Sequence, residues 1–317
     1  REKRDPAYYV GSGKIDELKN AAETMNCDVI VVDGEISPVQ RKNIAKRAGL
    51  PVMDRADIII KIFSENARTR EAKLQVELAE LKYKLPEIAG LGKVMSRLGG
   101  KVGTKGPGEQ EAEYRRRAIK ERIKKLEQEI EKIKATKRLF NENRKKHETK
   151  SVSIIGYTNA GKSTLINALT NAGVLEENKL FSTLDTKVKK LYIEGLKNVV
   201  VSDTVGFIRK LPHILVASFR TTLDEVVNAD LILEVVDISK DNFENDIMVT
   251  KNVLDEIEVH GKHIVYIFNK IDKVEKIEGI KSVLTEKYKN VVFVSAAKKI
   301  NLDEVIKTVK DYFETQK

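Results

Sequence analysis

The nine residues Gly156-Tyr157-Thr158-Asn159-Ala160-Gly161-Lys162-Ser163-Thr164 constrain the chain more than any other stretch. They follow Val152-Ser153-Ile154-Ile155, an apolar run that reads as a buried strand, and precede Leu165-Ile166-Asn167-Ala168-Leu169, which has helical spacing. Strand, glycine-bounded loop ending in Lys-Ser, then helix is the setting of a phosphate-binding loop. Glycines let successive backbone N–H groups turn inward around phosphate oxygens, and the helix N-terminus adds unpaired donors and partial positive charge. Lys162 is placed to reach the β- and γ-phosphates, and the Ser163 hydroxyl to ligate Mg²⁺.

Such a loop needs a sheet to hold it. Residues 150–317 alternate apolar runs and amphipathic stretches as a doubly wound, mostly parallel α/β sheet does. Strands are predicted at 151–156, 187–194, 198–203, 230–236, 263–268 and 290–294. Helices are predicted at 163–172, 214–227, 245–259, 276–288 and 302–314. In such a fold the ligand-binding segments share the carboxyl edge of the sheet.

Three more motifs fall at that edge. Asp203-Thr204-Val205-Gly206 closes the run Val199-Val200-Val201. It fits a second phosphate-binding element, with Asp203 holding the Mg²⁺ shell through water and the Gly206 N–H meeting the γ-phosphate. Asn269-Lys270-Ile271-Asp272 follows Ile264-Val265-Tyr266-Ile267-Phe268. A carboxylate placed as Asp272 is can accept from both N1–H and the 2-amino group of guanine, a pair of donors that adenine lacks. Ser295-Ala296-Ala297 follows Val291-Val292-Phe293-Val294 and suits a last base-contacting loop, where a backbone N–H meets guanine O6. Each short motif alone is weak, since Asp-x-x-Gly recurs by chance. Four in this order, each after an apolar strand, point to GTP and Mg²⁺. Between them Phe181-Ser182-Thr183-Leu184-Asp185-Thr186 lies where a switch threonine completes the Mg²⁺ sphere; Thr183 is expected, with Thr186 the alternative.

The rest of the chain reads as a small α/β subdomain over 1–67 and a helical hairpin over 68–149, with 150–317 as the nucleotide-binding domain. Asp28-Val29-Ile30-Val31-Val32 reads as a buried strand, flanked by helices over 13–25 and 38–48. Residues 55–66 fit helix or strand. In the hairpin, Leu74, Leu78, Leu81 and Leu85 form one stripe, which Pro86 should end. A second helix over 109–147 carries Ile119, Ile123, Leu126, Ile130 and Ile133 at heptad spacing, so the two should pack antiparallel.

Charge sets the halves apart. Residues 1–150 hold 35 Lys and Arg against 24 Asp and Glu, whereas 151–317 hold 23 against 24. The net +10 therefore resides in the half without the phosphate loop, which suggests a polyanionic partner. Residues 89–108 carry seven glycines and the cations Lys93, Arg97, Lys101 and Lys105, with no acid. A flexible linker is the plain reading. A cationic tip on a rigid arm suits RNA phosphates better, where each neutralised phosphate releases counterions. No apolar run reaches the ~20 residues needed to span a bilayer. The single Cys27 cannot form an internal disulfide, which fits a reducing cytoplasm. A membrane partner is not expected, because the heptad seam leaves no apolar face to insert.

GYTNAGKST at 156–164, FSTLD at 181–185, DTVGFI at 203–208 and NKID at 269–272 together resemble the HflX family, within the Obg–HflX group of translation-factor GTPases. YVGSGK at 9–14, KLQVELAELKY at 73–83 and SRLGGKVGTKGPGE at 96–109 extend the resemblance to essentially the whole chain. It implies a cytoplasmic, monomeric GTPase that binds the large ribosomal subunit and its RNA and splits or rescues stalled ribosomes. It also implies that the glycine-rich basic loop probes ribosomal RNA. Where common small GTPases keep a water-orienting glutamine, this chain has Phe207. Phe cannot hydrogen-bond water, so intrinsic hydrolysis should be slow. Another switch residue, with Arg209 the candidate, or the ribosome itself would then position the water. The alternative is a non-catalytic RNA- or ribosome-binding factor for which GTP is only an ordering ligand.

Overall fold

The computed structural model describes residues 4–96, 107–146, 148–170, 188–204, 206–209 and 220–316. The chain divides into two compact units, Arg1–Glu65 with Leu74–Ile130 and Asn66–Lys73 with Glu131–Lys317.

In the first unit, helix α1 (Ser12–Thr24) leads to strand β1 (Ile30–Val32), helix α2 (Pro38–Ala48), strand β2 (Val52–Asp54) and helix α3 (Arg55–Asn66). β1 and β2 pair in parallel. α2 starts where Ser37 and Gln40 satisfy each other's backbone N–H groups, with Pro38 at the first helical position. It stops at Gly49, whose φ of 74° is a left-handed turn that glycine adopts without strain. Ile15, Ile30, Ile36, Ile44, Ala48 and Val52 form the core. Residues 55–66 resolve as helix, because Ala56, Ile59, Ile60 and Phe63 recur at helical spacing and all are buried. β2 escaped sequence reading, since three residues are too few to show a period of two.

An ionic hub joins these elements to helix α4 (Arg70–Ser96). Arg41 donates to the Val52 carbonyl at 3.0 Å and to the Tyr83 hydroxyl at 3.1 Å, and pairs with Asp57 and, at 2.9 Å, with Glu87. Tyr83 in turn donates to Asp54, which is fully buried. The expected stop at Pro86 is corrected: α4 runs through it to Ser96. A helical proline removes one hydrogen bond and crowds one carbonyl, a local penalty that intact turns on either side can carry. Helix α5 (Pro107–Lys146) follows, so helix also claims residues 89–96 of the predicted loop. Leu74, Val76, Leu78 and Ala79 of α4 and Leu126 and Ile130 of α5 are buried. Glu77–Arg122 and Lys82–Glu127 pair across the two helices.

The second unit is built on a six-stranded sheet of β3 (Lys150–Gly156), β4 (Val188–Ile193), β5 (Leu196–Asp203), β6 (Leu231–Asp237), β7 (His263–Asn269) and β8 (Val291–Phe293). Its order is β4-β5-β3-β6-β7-β8, with every pair parallel except β4–β5. Helices α6 (Lys162–Thr170), α7 (Arg220–Asn228), α8 (Phe243–Glu256), α9 (Ile277–Lys287) and α10 (Leu302–Thr315) complete it. Successive strand residues serve opposite faces. Ile154 packs with Leu165, Leu233, Val265 and Val309, while Ile155 packs with Phe207, Leu223, Ile232 and Val253. Burial on both faces is why these strands read as unbroken apolar runs. Among the described residues, no helix is long and apolar enough to cross a membrane.

One residue breaks the apolar run of β6. Glu234 is 2% exposed, one of its carboxyl oxygens has no hydrogen-bond partner, and burial pushes its pKa up to about 8. A folded pKa raised from 4.5 makes the protonated form part of the native core. Its stabilising contribution is complete below pH 4.5 and is lost as pH rises through 8. At 1.36 kcal/mol per pKa unit the loss is on the order of 5 kcal/mol. Glu234→Gln should remove that slope, so the wild type's melting temperature falls between pH 5 and 8 while the variant's stays flatter. Parallel slopes for the two proteins would refute a neutral Glu234.

Candidate functional site

The parallel register brings the carboxyl ends of β3, β5, β6 and β7 to one edge, carrying Gly156, Asp203, Asp237 and Asn269. The loop after β3 turns on three residues of positive φ, Gly156 (142°), Asn159 (62°) and Gly161 (99°). Two of its glycines are also forced by space. A Cβ at Gly156 would run into the Val235 carbonyl, and one at Gly161 into the Asn269 side chain. Helix α6 then opens at Lys162, so the N–H groups of Lys162, Ser163 and Thr164 find no acceptor within it. The Thr158 N–H donates to the Phe207 carbonyl at 2.8 Å and the Ala160 N–H to the Tyr157 carbonyl at 3.2 Å. Those two predicted phosphate donors are thereby engaged within the site.

Lys162 is buried, its ammonium donating to the carbonyls of Gly156 (3.1 Å) and Tyr157 (2.9 Å). Burial lowers its pKa to about 8, against the opposing pull of Asp203. The Ser163 hydroxyl donates to Asp203 at 3.0 Å, and Asp203 is fully buried at the end of β5. A hydroxyl and a carboxylate so close together are hard oxygen donors of the kind Mg²⁺ selects. Thr204 donates to the Ile154 carbonyl at 2.8 Å, locking the start of the second phosphate element to β3. Gly206 has no room for a side chain: a Cβ there would lie 2.9 Å from the Thr158 methyl and 3.0 Å from the Lys162 ammonium.

Phe207 turns away from this site. It is 2% exposed in the core beneath α7 and α8, and its backbone pairs with Gly156 and Thr158 as an extra rung beside β3. Arg209 is held by its backbone N–H, which donates to the Tyr157 hydroxyl at 3.2 Å.

The base-side motif is wired to the phosphate loop. Asn269 donates to the Ala160 carbonyl at 2.9 Å and accepts from the Ala296 N–H at 3.0 Å, so one buried amide joins three of the predicted elements. Lys270 donates to the Asn159 carbonyl at 2.9 Å. Asp272 accepts from Ser295 at 2.6 Å, and Ser295 accepts from the Lys298 N–H at 3.2 Å. Ile271 packs into the core beside Phe268, and Ala297 is exposed at the end of the motif. The segment Phe181–Thr186, with Thr183, and also Val205, Arg97, Lys101 and Lys105, lie outside the described residues. Lys93 falls in α4.

Asp237 belongs to this edge and was missed. Its signal was present: like Asp203, it is an acid closing an apolar strand, here followed two residues later by Ser239. The Ser239 N–H and hydroxyl donate to one of its oxygens (3.1 and 2.6 Å) and Lys270 to the other (2.6 Å). Burial raises the Asp237 pKa, but the Lys270 and Ser239 hydrogen bonds outweigh it and the net shift is downward.

The chain matches three family models in succession: "GTP-binding GTPase N-terminal" over 1–64, "GTP-binding GTPase Middle Region" over 66–144 and "50S ribosome-binding GTPase" over 151–270. It is 42% identical to GTPase HflX of Caldanaerobacter subterraneus subsp. tengcongensis, covering 96% of this chain and 69% of that protein. It is 41% identical to GTPase HflX of Lacrimispora saccharolytica, covering 100% and 74%. Its fold resembles the crystal structure of a GTP-binding protein from Sulfolobus solfataricus in complex with GDP, at a TM-score of 0.51 and 28% identity over 100% of this chain and 89% of that one.

Proposed function

The chain belongs to the HflX family of GTPases, and from that membership we propose that it binds the large ribosomal subunit and hydrolyses GTP there as a conformational switch. That its third segment matches a model described as a 50S ribosome-binding GTPase carries the partner. The +11 balance of residues 1–150 supports an RNA surface as the contact, with Lys93, Arg97, Lys101 and Lys105 the proposed phosphate ligands. Splitting or rescue of ribosomes is the role that the likeness favours.

In the site, Lys162 neutralises the β- and γ-phosphates while the N–H groups opening α6 orient them. Ser163 and Asp203 are the residues that would hold Mg²⁺, Asp203 through water, with Thr183 proposed from the switch segment. The metal supplies charge neutralisation at the phosphates. Gly206 brings a backbone N–H against the γ-phosphate, and Asp272 reads guanine. With Phe207 committed to the core, the attacking water is left to a group from elsewhere, which makes intrinsic turnover slow and the ribosome an activator.

Phosphate release measured with and without purified large subunits tests this. Stimulation by the subunit is expected, and an equal, negligible rate in both would favour the non-catalytic alternative. Base reading has its own test. Asp272→Asn should weaken GTP by about 1.5–3 kcal/mol, the worth of a hydrogen bond to a charged group, and gain affinity for xanthosine triphosphate. Unchanged GTP affinity in a nucleotide titration would sink that assignment.

A further inference from the structure

We propose that Asp237 is a positioning residue for nucleotide affinity, acting through Lys270 to clip the guanine loop onto the phosphate loop. The inference rests on the reading of 269–272 as the base-contacting segment. Lys270 sits in a left-handed backbone conformation (φ 67°) just past β7, where its ammonium has two acceptors from two other elements. One is the Asn159 carbonyl in the phosphate loop, the other the Asp237 carboxylate at the end of β6. The phosphate loop, the end of β6 and the start of the base loop thus converge on one ammonium group.

The carboxylate itself is fixed before it meets Lys270. Asp237 is only 4% exposed, and Ser239 occupies its other oxygen with both a hydroxyl and a backbone N–H. A carboxylate so held presents one oxygen in one direction, and the ion-paired bond to it at 2.6 Å is stronger than the bond from the same ammonium to the uncharged Asn159 carbonyl. Without Asp237 the four-carbon stem of Lys270 is free to leave the Asn159 carbonyl for water, because one neutral acceptor offsets little of its rotamer entropy. Among the described residues, the hydrogen bond from Asn269 to the Ala160 carbonyl would then be what still links the phosphate loop to the base loop. The next residues add a contact from the same side: the Lys240 ammonium lies 4.9 Å above the Tyr157 ring.

Among the described residues the Asp237 side chain bonds to Ser239 and Lys270, so its loss should act on binding through Lys270 and spare the chemical step. Asp237→Asn is expected to raise the dissociation constants of GDP and GTP by a similar factor, about tenfold, as for losing a charged hydrogen bond. In steady-state hydrolysis the loss should appear in KM rather than kcat. The decisive measurement is a double-mutant cycle of GDP affinity with Lys270→Met. Asp237→Asn should cost about tenfold in the wild-type background and under twofold in the Lys270→Met background. Equal costs in the two backgrounds, or a change confined to kcat, would overturn the proposal. If Asp237→Asn does not fold, Ser239→Ala carries the same cycle, with a two- to threefold effect that must vanish with Lys270→Met. Asp272→Asn run in parallel separates the two ideas. A gain of xanthosine triphosphate with an additive cycle defeats only the clip, whereas no gain defeats the base-site reading beneath it.

Discussion

Lys162→Ala should abolish measurable GTP turnover, lowering it by about 10³-fold even where nucleotide still binds. Lys162 is the buried cation of the phosphate loop, held by the Gly156 and Tyr157 carbonyls within 3.1 Å. Charge developing on the transferring phosphoryl group is stabilised by donors already in place, and one such donor is worth about 10²–10³ in rate. A full charge in a buried setting belongs at the upper end. Ser163→Ala should behave similarly, because the hydroxyl beside Asp203 is one of the oxygens proposed to hold Mg²⁺. Single-turnover phosphate release at saturating GTP checks both. A Lys162→Ala protein within tenfold of wild type would remove this lysine from the chemistry.

Phe207→Ala should cost about 3–5 kcal/mol of stability, as large-to-small changes at buried aromatics do. The ring is 2% exposed among Ile155, Leu223, Val226, Ile232 and Val253, so truncation leaves a cavity under α7 and α8. Read from the sequence, this position merely lacks the polar group that would orient water. The tertiary structure makes it an anchor instead, fastening the segment after Asp203 to the core while its backbone pairs with Gly156 and Thr158. Urea unfolding of the nucleotide-bound protein should show a lower midpoint with an unchanged slope. Phe207→Leu, which refills most of the volume, should recover most of the loss. A midpoint within error of wild type for Phe207→Ala would mean that the ring has no packing role.

The phosphate loop, Asp203, Asn269 and Asp272 were legible because phosphate and guanine chemistry admit few residue types at such spacings. The segments that carry them also close or follow apolar strands long enough to be seen. Helix α2 announced itself through Ser37 and Pro38, whose backbone preferences are local. Signals of this kind live within a few residues of one another and survive without knowledge of the fold.

Most strands and helices, their order and the four motifs after strands were thus legible in the chain, but not β2, the helical state of 55–66 or the passage of α4 through Pro86. How those ends meet one another follows from the packing of the sheet. Asp237 meets Lys270 across 33 residues, and Asn269 meets Ala160 across 109. Neither pairing has a local trace, because sheet order β3-β6-β7 is what makes the strands neighbours. The same holds for Arg41, whose partners Asp54, Asp57, Tyr83 and Glu87 look in sequence like ordinary surface charges. Pro86 within α4 and Glu234 within β6 go further, against local expectation. Residue preferences act over one turn or one strand. Burial and register are properties of the whole packed sheet, and where the two disagree by a few kcal/mol the packing prevails.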